Sequence, residues 1–201
     1  MAGNQREHLK NLATGVFRES VRVKNDLCDT AAERISEMAE RLAEAFRNRH
    51  CLFIFGNGGS AADAQHLAAE FVNRFRLDRP PLPAVALTVD SSILTSIGND
   101  FSFQDIFVKQ LQAHAKPGDV ALGISTSGRS ENVLKALKWA QEHGVHTLGW
   151  SGQEVTAMDG HCDVMIHVPS QETPRIQEAH IVVGHIMCEL VEHILFGHSG
   201  N

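Results

Sequence analysis

The chain has 201 residues, of which 43% are hydrophobic and 21% charged, the composition of a globular protein able to bury one sizeable core. Its formal net charge of −6 excludes a general polyanion binder while leaving room for a local anion pocket.

The first fifteen residues, with Arg6, Glu7 and Lys10, lack the apolar core of a signal peptide. No uninterrupted apolar run reaches the ~18–20 residues of a membrane span. A cytoplasmic protein with no membrane or nucleic-acid partner is therefore expected. Leu9, Leu12, Val16 and Phe17 recur at helical spacing. Thr30-Ala31-Ala32-Glu33 then resembles a capping box, opening a second helix that carries Ile35, Met38, Leu42 and Phe46. Two helices are thus predicted within residues 1–50, a helical extension that serves either as an oligomer contact or as packing for the chain's own sheet.

From Cys51 the pattern changes. CLFIF (51–55) is a continuous apolar run ending at Gly56, as a buried parallel strand requires. AVAL (84–87), DVALGIS (119–125), HTLGW (146–150) and the shorter VMIHV (164–168) repeat the theme. Segments of helical spacing, 60–75, 103–114 and 130–143, lie between them, and a long helix is predicted from about Pro174 to Phe196. Strands alternating with helices predict an α/β fold over 51–201, a doubly wound parallel sheet covered on both faces, in one domain spanning 1–201. The four cysteines, Cys28, Cys51, Cys162 and Cys188, form no CxxC pair and read as free thiols.

Ligands of such sheets bind outside the carboxyl ends of the strands. Two of these ends are rich in small and hydroxylated residues. Gly56-Asn57-Gly58-Gly59-Ser60 lets backbone approach an anion, with the amides of a helix start pointing at it. Ser125-Thr126-Ser127-Gly128-Arg129-Ser130 offers four hydroxyls. Neither has the Lys-Ser/Thr end of a P-loop, and the first is no GxGxxG fingerprint, so nucleotide readings lose ground. Just beyond the first loop, His66 and Glu70 share a helix face at a spacing that suits a transition metal, zinc being the commonest. The last helix adds Gln177, Glu178, His180 and His185. At 100° per residue Glu178 lies about 20° from His185 and Gln177 about 80°, so helix geometry alone nominates Glu178 as its partner.

GNGGSAADAQHLAAE (56–70), RPPLPAVALT (79–88), SIGNDF (96–101), KPGDVALGISTSGRSENV (116–133) and RIQEAHIVVGHI (175–186) together resemble the sedoheptulose-7-phosphate isomerase (phosphoheptose isomerase) family, within the wider sugar-isomerase (SIS) domains. They stand in the family's order and cover most of the chain from residue 51. The resemblance implies a five-stranded parallel sheet flanked by helices. It also implies a homotetramer with sites between subunits and one divalent ion per subunit, usually zinc. Carried over by position, the metal ligands are His66, Glu70, Gln177 and His185, with Gln177 displacing Glu178. On this reading His66 and Glu70 come from one subunit, Gln177 and His185 from its neighbour. Phosphate falls to Asn57, Gly58, Ser60, Ser125, Thr126, Ser127 and Ser130, and sugar contacts to Arg74, Asn99, Asp100 and Gln177. The chain departs from the family's pattern at Arg129, where Asn is usual, in Trp150–Glu154, and at Thr173-Pro174.

The implied reaction converts sedoheptulose 7-phosphate to D-glycero-D-manno-heptose 7-phosphate through an enediol, with Glu70 as base, His185 as acid and the metal as Lewis acid. Two other readings share the scaffold. One is a non-catalytic protein that binds the replication initiator or senses sugar phosphates. The other is an aminosugar-phosphate isomerase, which does not account for the His66/Glu70/Gln177/His185 set.

Overall fold

The computed structural model describes residues 2–197; the ends of the expected 1–201 domain, residue 1 and residues 198–201, lie outside them. Helix α1 runs Ala2–Arg47, 46 residues, or about 69 Å at 1.5 Å per residue. One helix thus replaces the two that were predicted. No Gly or Pro falls between Val16 and Ile35, and Arg22 bridges Glu19 at 2.7 Å and Asp26 at 2.6 Å across the expected break. Thr30 caps nothing. Its hydroxyl donates back to the carbonyls of Asp26 and Leu27, both at 3.2 Å, a bond that a helix interior accommodates. The two halves of α1 differ. From Val23 onward its apolar residues are buried, whereas Leu9, Leu12 and Val16 are more than half exposed and stripe a projecting end.

Five strands follow: β1 (Leu52–Gly56), β2 (Ala84–Ala86), β3 (Val120–Ile124), β4 (His146–Ser151) and β5 (Val164–His167). All pair in parallel in the order β2-β1-β3-β4-β5. The pleat sends alternate residues to opposite faces. Leu52, Ile54, Leu122, Trp150 and Ile166 join one core with α1, α2 (Gly59–Val72) and α6 (Thr173–Phe196). Phe53, Phe55 and Ala121 join the other with α4 (Val108–His114) and α5 (Glu131–Glu142). This is the five-stranded, doubly wound sheet expected.

Two helical elements depart from expectation. Segment 103–114 is a 3₁₀ turn, Phe103–Asp105, followed by α4. The break falls where Ile106 and Phe107 turn inward to be buried. Helix α3 (Ser91–Asp100) was not foreseen, since Ser, Thr, Ile and Gly are weak helix formers. Its signal was Asp90, whose carboxylate accepts from the amide of Ile93 at 2.9 Å as an N-cap.

Helix α6 carries Pro174 in its first turn, as foreseen. It is the one described helix long and apolar enough to cross a bilayer by length and composition. Here its apolar face is core: Ile176, Val183, Met187 and Val191 are all at most 2% exposed. It runs parallel to α2. A Cβ on Gly184 would meet Leu67 at 2.5 Å, and Gly59 lies against Gln177, so the two helices keep step residue for residue. All four cysteines are free.

Candidate active site

Both hydroxyl-rich loops sit at the carboxyl ends of neighbouring strands, the first after β1 and the second after β3. Gly58 has φ +56°, a left-handed conformation that suits glycine and lets the chain turn straight into α2. Gly59 is needed for a different reason: any Cβ there would collide with the Gln177 amide. Ser60 is buried, its amide bonded to the Asn57 carbonyl at 3.0 Å.

In the second loop the hydroxyls hold one another. Ser125 donates to Ser130 at 3.0 Å and lies 3.5 Å from Ser127, whose oxygen accepts from the amide of Arg129 at 3.2 Å. Thr126 and Ser127 line a cleft of about 240 Å³ with Gly152, Ser170 and Thr173. Arg129 stands at its rim, paired with Glu154 at 2.5 Å. The loops are stitched together by a residue the sequence reading did not single out. Asn132 exchanges two amide hydrogen bonds with Asn57, both 2.9 Å, and is itself buried. Its signal was an Asn in the first turn of the helix that follows the hydroxyl loop.

The helix pair α2/α6 supplies the titratable groups. His66 and His185 face each other, Nε2 to Nε2, at 2.8 Å, and Glu70 reaches His66 at 3.5 Å. His66 stays 45% exposed, so this corner opens to solvent. His185 is half-buried, its ring stacked on Phe75 with centroids 5.4 Å apart. Asp63, one turn before His66, has its carboxyl pushed up to about 6 by burial, against the opposing influence of His66. Its Oδ2 is enclosed without a hydrogen-bond partner.

These positions correct the expected division of ligands. One chain brings His66, Glu70 and His185 together, so His185 does not have to come from a neighbour. Gln177 is not with them. It lies at Gly59, 11 residues before Glu70, or about 16 Å along the helix axis. The geometric candidate Glu178 faces elsewhere, bonded to Ser20 at 2.7 Å and Arg175 at 2.5 Å. Asn99 donates to its neighbour Asp100 at 2.8 Å, both exposed at the end of α3, and neither bonds to either loop. Arg74 is exposed and forms no ion pair among the described residues.

Two imidazoles, a carboxylate and an orphaned carboxylate oxygen one turn away are a donor set of the right chemistry for a borderline-soft divalent ion. Nitrogens sharing a tetrahedral ion with ~2.0–2.1 Å bonds would stand about 3.3–3.4 Å apart, so the 2.8 Å contact is a ring-to-ring hydrogen bond. Consistently, no three His, Cys, Asp or Glu side chains among the described residues close on one point.

Comparison with known proteins gives concordant results. A family model described as SIS domain matches residues 17–152. The phosphoheptose isomerase of Clostridium acetobutylicum is 48% identical over 191 residues, covering 94% of this chain and 97% of that protein. A protein named phosphoheptose isomerase 2 from Campylobacter jejuni is 47% identical, covering 95% and 96%. The solved structure of a phosphoheptose isomerase from Neisseria gonorrhoeae superposes with a TM-score of 0.87 at 40% identity, covering 92% of this chain and 98% of that one.

Proposed function

We propose, on the premise that the chain belongs to the SIS-domain family and within it to the phosphoheptose isomerases, that it is a sedoheptulose-7-phosphate isomerase forming D-glycero-D-manno-heptose 7-phosphate at the α2/α6 seam. The observation that carries the reading is the spacing of two chemistries along α2. Its start lies in the anion-ready loops, and His66 comes 7 residues later, about 10 Å down the axis. The phosphate and the reacting C1 and C2 of a seven-carbon sugar likewise lie at opposite ends of an extended chain.

The hydroxyls of Ser60, Ser125, Thr126, Ser127 and Ser130 and the amides of Gly58 and Gly59 would hold the phosphate. Glu70 takes the proton from C1 of the ketose and returns it to C2 of the enediol, while His185 moves the proton between the two oxygens. Asn57, fixed by Asn132, keeps the two loops at constant separation. His66, Glu70 and His185 would hold a zinc-type ion, which when bound supplies Lewis-acid relief of negative charge on the substrate oxygens. Gln177, against Gly59, is assigned to substrate rather than to metal. The exposed stripe of Leu9, Leu12 and Val16 on α1 supports assembly of identical chains into a tetramer.

The test is direct. Purified protein is incubated with sedoheptulose 7-phosphate, with and without a chelator, and the aldose product is followed by NMR. Metal-dependent formation of the heptose phosphate is expected. A protein that carries stoichiometric zinc yet forms no aldose would overturn the isomerase reading, and full turnover in chelator would overturn the metal role alone.

A further inference from the structure

A buried ion pair lies where α2 ends. Arg79 and Glu192 have side chains only 2% and 3% exposed and meet at 3.0 Å. Glu192, on α6, accepts from the backbone amides of Phe75 and Arg76 at 2.9 Å and of Leu77 at 3.0 Å. Arg79 in turn donates to the carbonyls of Glu70 at 2.8 Å and Phe71 at 2.6 Å. Those carbonyls belong to the last turn of α2, which has no onward helix to satisfy them. The pair therefore clamps the turn 73–79 between the two helices that carry the reacting groups.

Both ends of the clamp reach the reacting pair. One donor bond lands on the carbonyl of Glu70 itself. The clamped turn carries Phe75, whose ring stacks on His185 at an interplanar angle of 28°. Glu192 follows His185 by 7 residues, about 20° around the helix, so both project from one face of α6 toward α2.

Buried ion pairs add little net stability, because desolvating two charges offsets their attraction. What this one supplies is geometry, since a carboxylate held by three amides and a guanidinium that donates to the carbonyls of Glu70, Phe71, Asn73 and Pro80 fix the turn from both sides. We propose that Arg79 and Glu192 are positioning residues, holding Glu70 and His185 at the separation that proton transfer needs. The inference rests on the proposed isomerase reading.

The experiment uses the full-length protein with Glu192→Gln, Arg79→Lys and Phe75→Leu, and Glu189→Gln as control. Glu189 reaches the same turn only through the Arg76 side chain, in an ion pair 65% and 49% exposed, where such a pair holds little. Activity of the parent protein on sedoheptulose 7-phosphate comes first; a parent with none defeats the isomerase reading, on which the clamp depends. Given activity, kcat of Glu192→Gln and Arg79→Lys should fall about 10- to 100-fold, the cost of a misplaced group. KM should stay within about twofold, since the phosphate loops are untouched, and the deuterium isotope effect for substrate labelled at the transferred carbon should rise as proton transfer becomes limiting. Phe75→Leu leaves both buried charges in place and should lower kcat by about tenfold, which keeps the question open to test if a charge variant fails to fold. Glu189→Gln should match the parent. Folded variants with parental kcat, or losses that only track the unfolded fraction, would overturn the proposal.

Discussion

Helix α6 has two seams, made of different material. Against α1 it buries Val183 in one core with Leu27 and Ile35, and Val182, Ile186 and Leu190 line an apolar groove of about 340 Å³ between the helices. Polar contacts are peripheral there, such as Lys24 with Glu178 at 3.9 Å. Against α2 and the segment that follows it, the same helix places one polar group per two turns: Gln177 on Gly59, His185 on His66, Glu192 on Arg79. Non-directional burial suffices to hold the first seam, and several apolar side chains would serve at each position. The second seam depends on atoms at given distances. One face of the helix therefore makes a fold, and the other makes a site.

The sharpest way to break this contrast is to exchange the symptoms. Glu70→Gln and His185→Asn should each lower kcat by ~10²–10⁴-fold, the usual worth of a proton-transfer group, while the thermal midpoint stays near that of the parent. Because Glu70 and His185 both neighbour His66 within one chain, mixed oligomers of the two inactive chains should also stay inactive. Recovery of activity in verified mixed oligomers would return His185 to a neighbouring subunit. The reciprocal change is Leu42→Ala in α1, a residue with no exposed surface. It should cost roughly 2–5 kcal/mol in urea unfolding through cavity formation, yet leave the kcat of the folded fraction unchanged. A stable Leu42→Ala protein with poor kcat would erase the distinction between the seams.

A smaller effect sharpens it. His180 lies on α6 with no exposed surface, its ring beside Trp150 and its Nε2 at 3.2 Å from the carbonyl of Ser151. Burial pushes its pKa down to about 4, against a slight opposing pull from that carbonyl. The folded value is below the ~6.5 of an unfolded histidine, so the unfolded chain binds more protons in between. The stability due to neutral His180 is whole above about pH 6.5 and erodes as pH falls toward 4. Urea midpoints at pH 7.5 and 5.0 should therefore diverge in the parent and converge in His180→Gln. An unchanged divergence would assign the acid sensitivity to other groups.

Much of this was legible in the sequence, for identifiable reasons. The strands could be read because parallel strands are buried on both faces, so CLFIF and VALGI are apolar at every position. The loops could be read because Gly58 and the serines mark places where backbone or hydroxyl is wanted instead of bulk. The clamp could not. Arg79 and Glu192 are 113 residues apart and each looks like an ordinary surface charge; only the fold brings them together. Local spacing gave His180 and His185 no separate characters, and only the family's pattern singled out His185; in the structure the first is wholly buried and the second stacks on Phe75 at the open corner. The continuity of α1 was missed because a local Thr-Ala-Ala-Glu pattern was weighed above the absence of any breaker. Gln177 was grouped with His185 by family position, and its place at Gly59 follows from the parallel course of two helices, which no local pattern encodes.

That parallel course also has an electrostatic consequence. Helices α2, α5 and α6 all begin at the same end of the sheet, at Gly59, Glu131 and Thr173. Each start carries the positive pole of its helix macrodipole, about half an elementary charge. Three such poles converge beside hydroxyls in a protein whose formal net charge is −6. On the proposed reading a phosphate there would be held by oriented peptide bonds and hydroxyls, with no lysine in either loop. Such a cradle keeps its charge at every pH at which the fold survives, so any titration of phosphate binding there would come from the ligand's own second ionisation, near pH ~6.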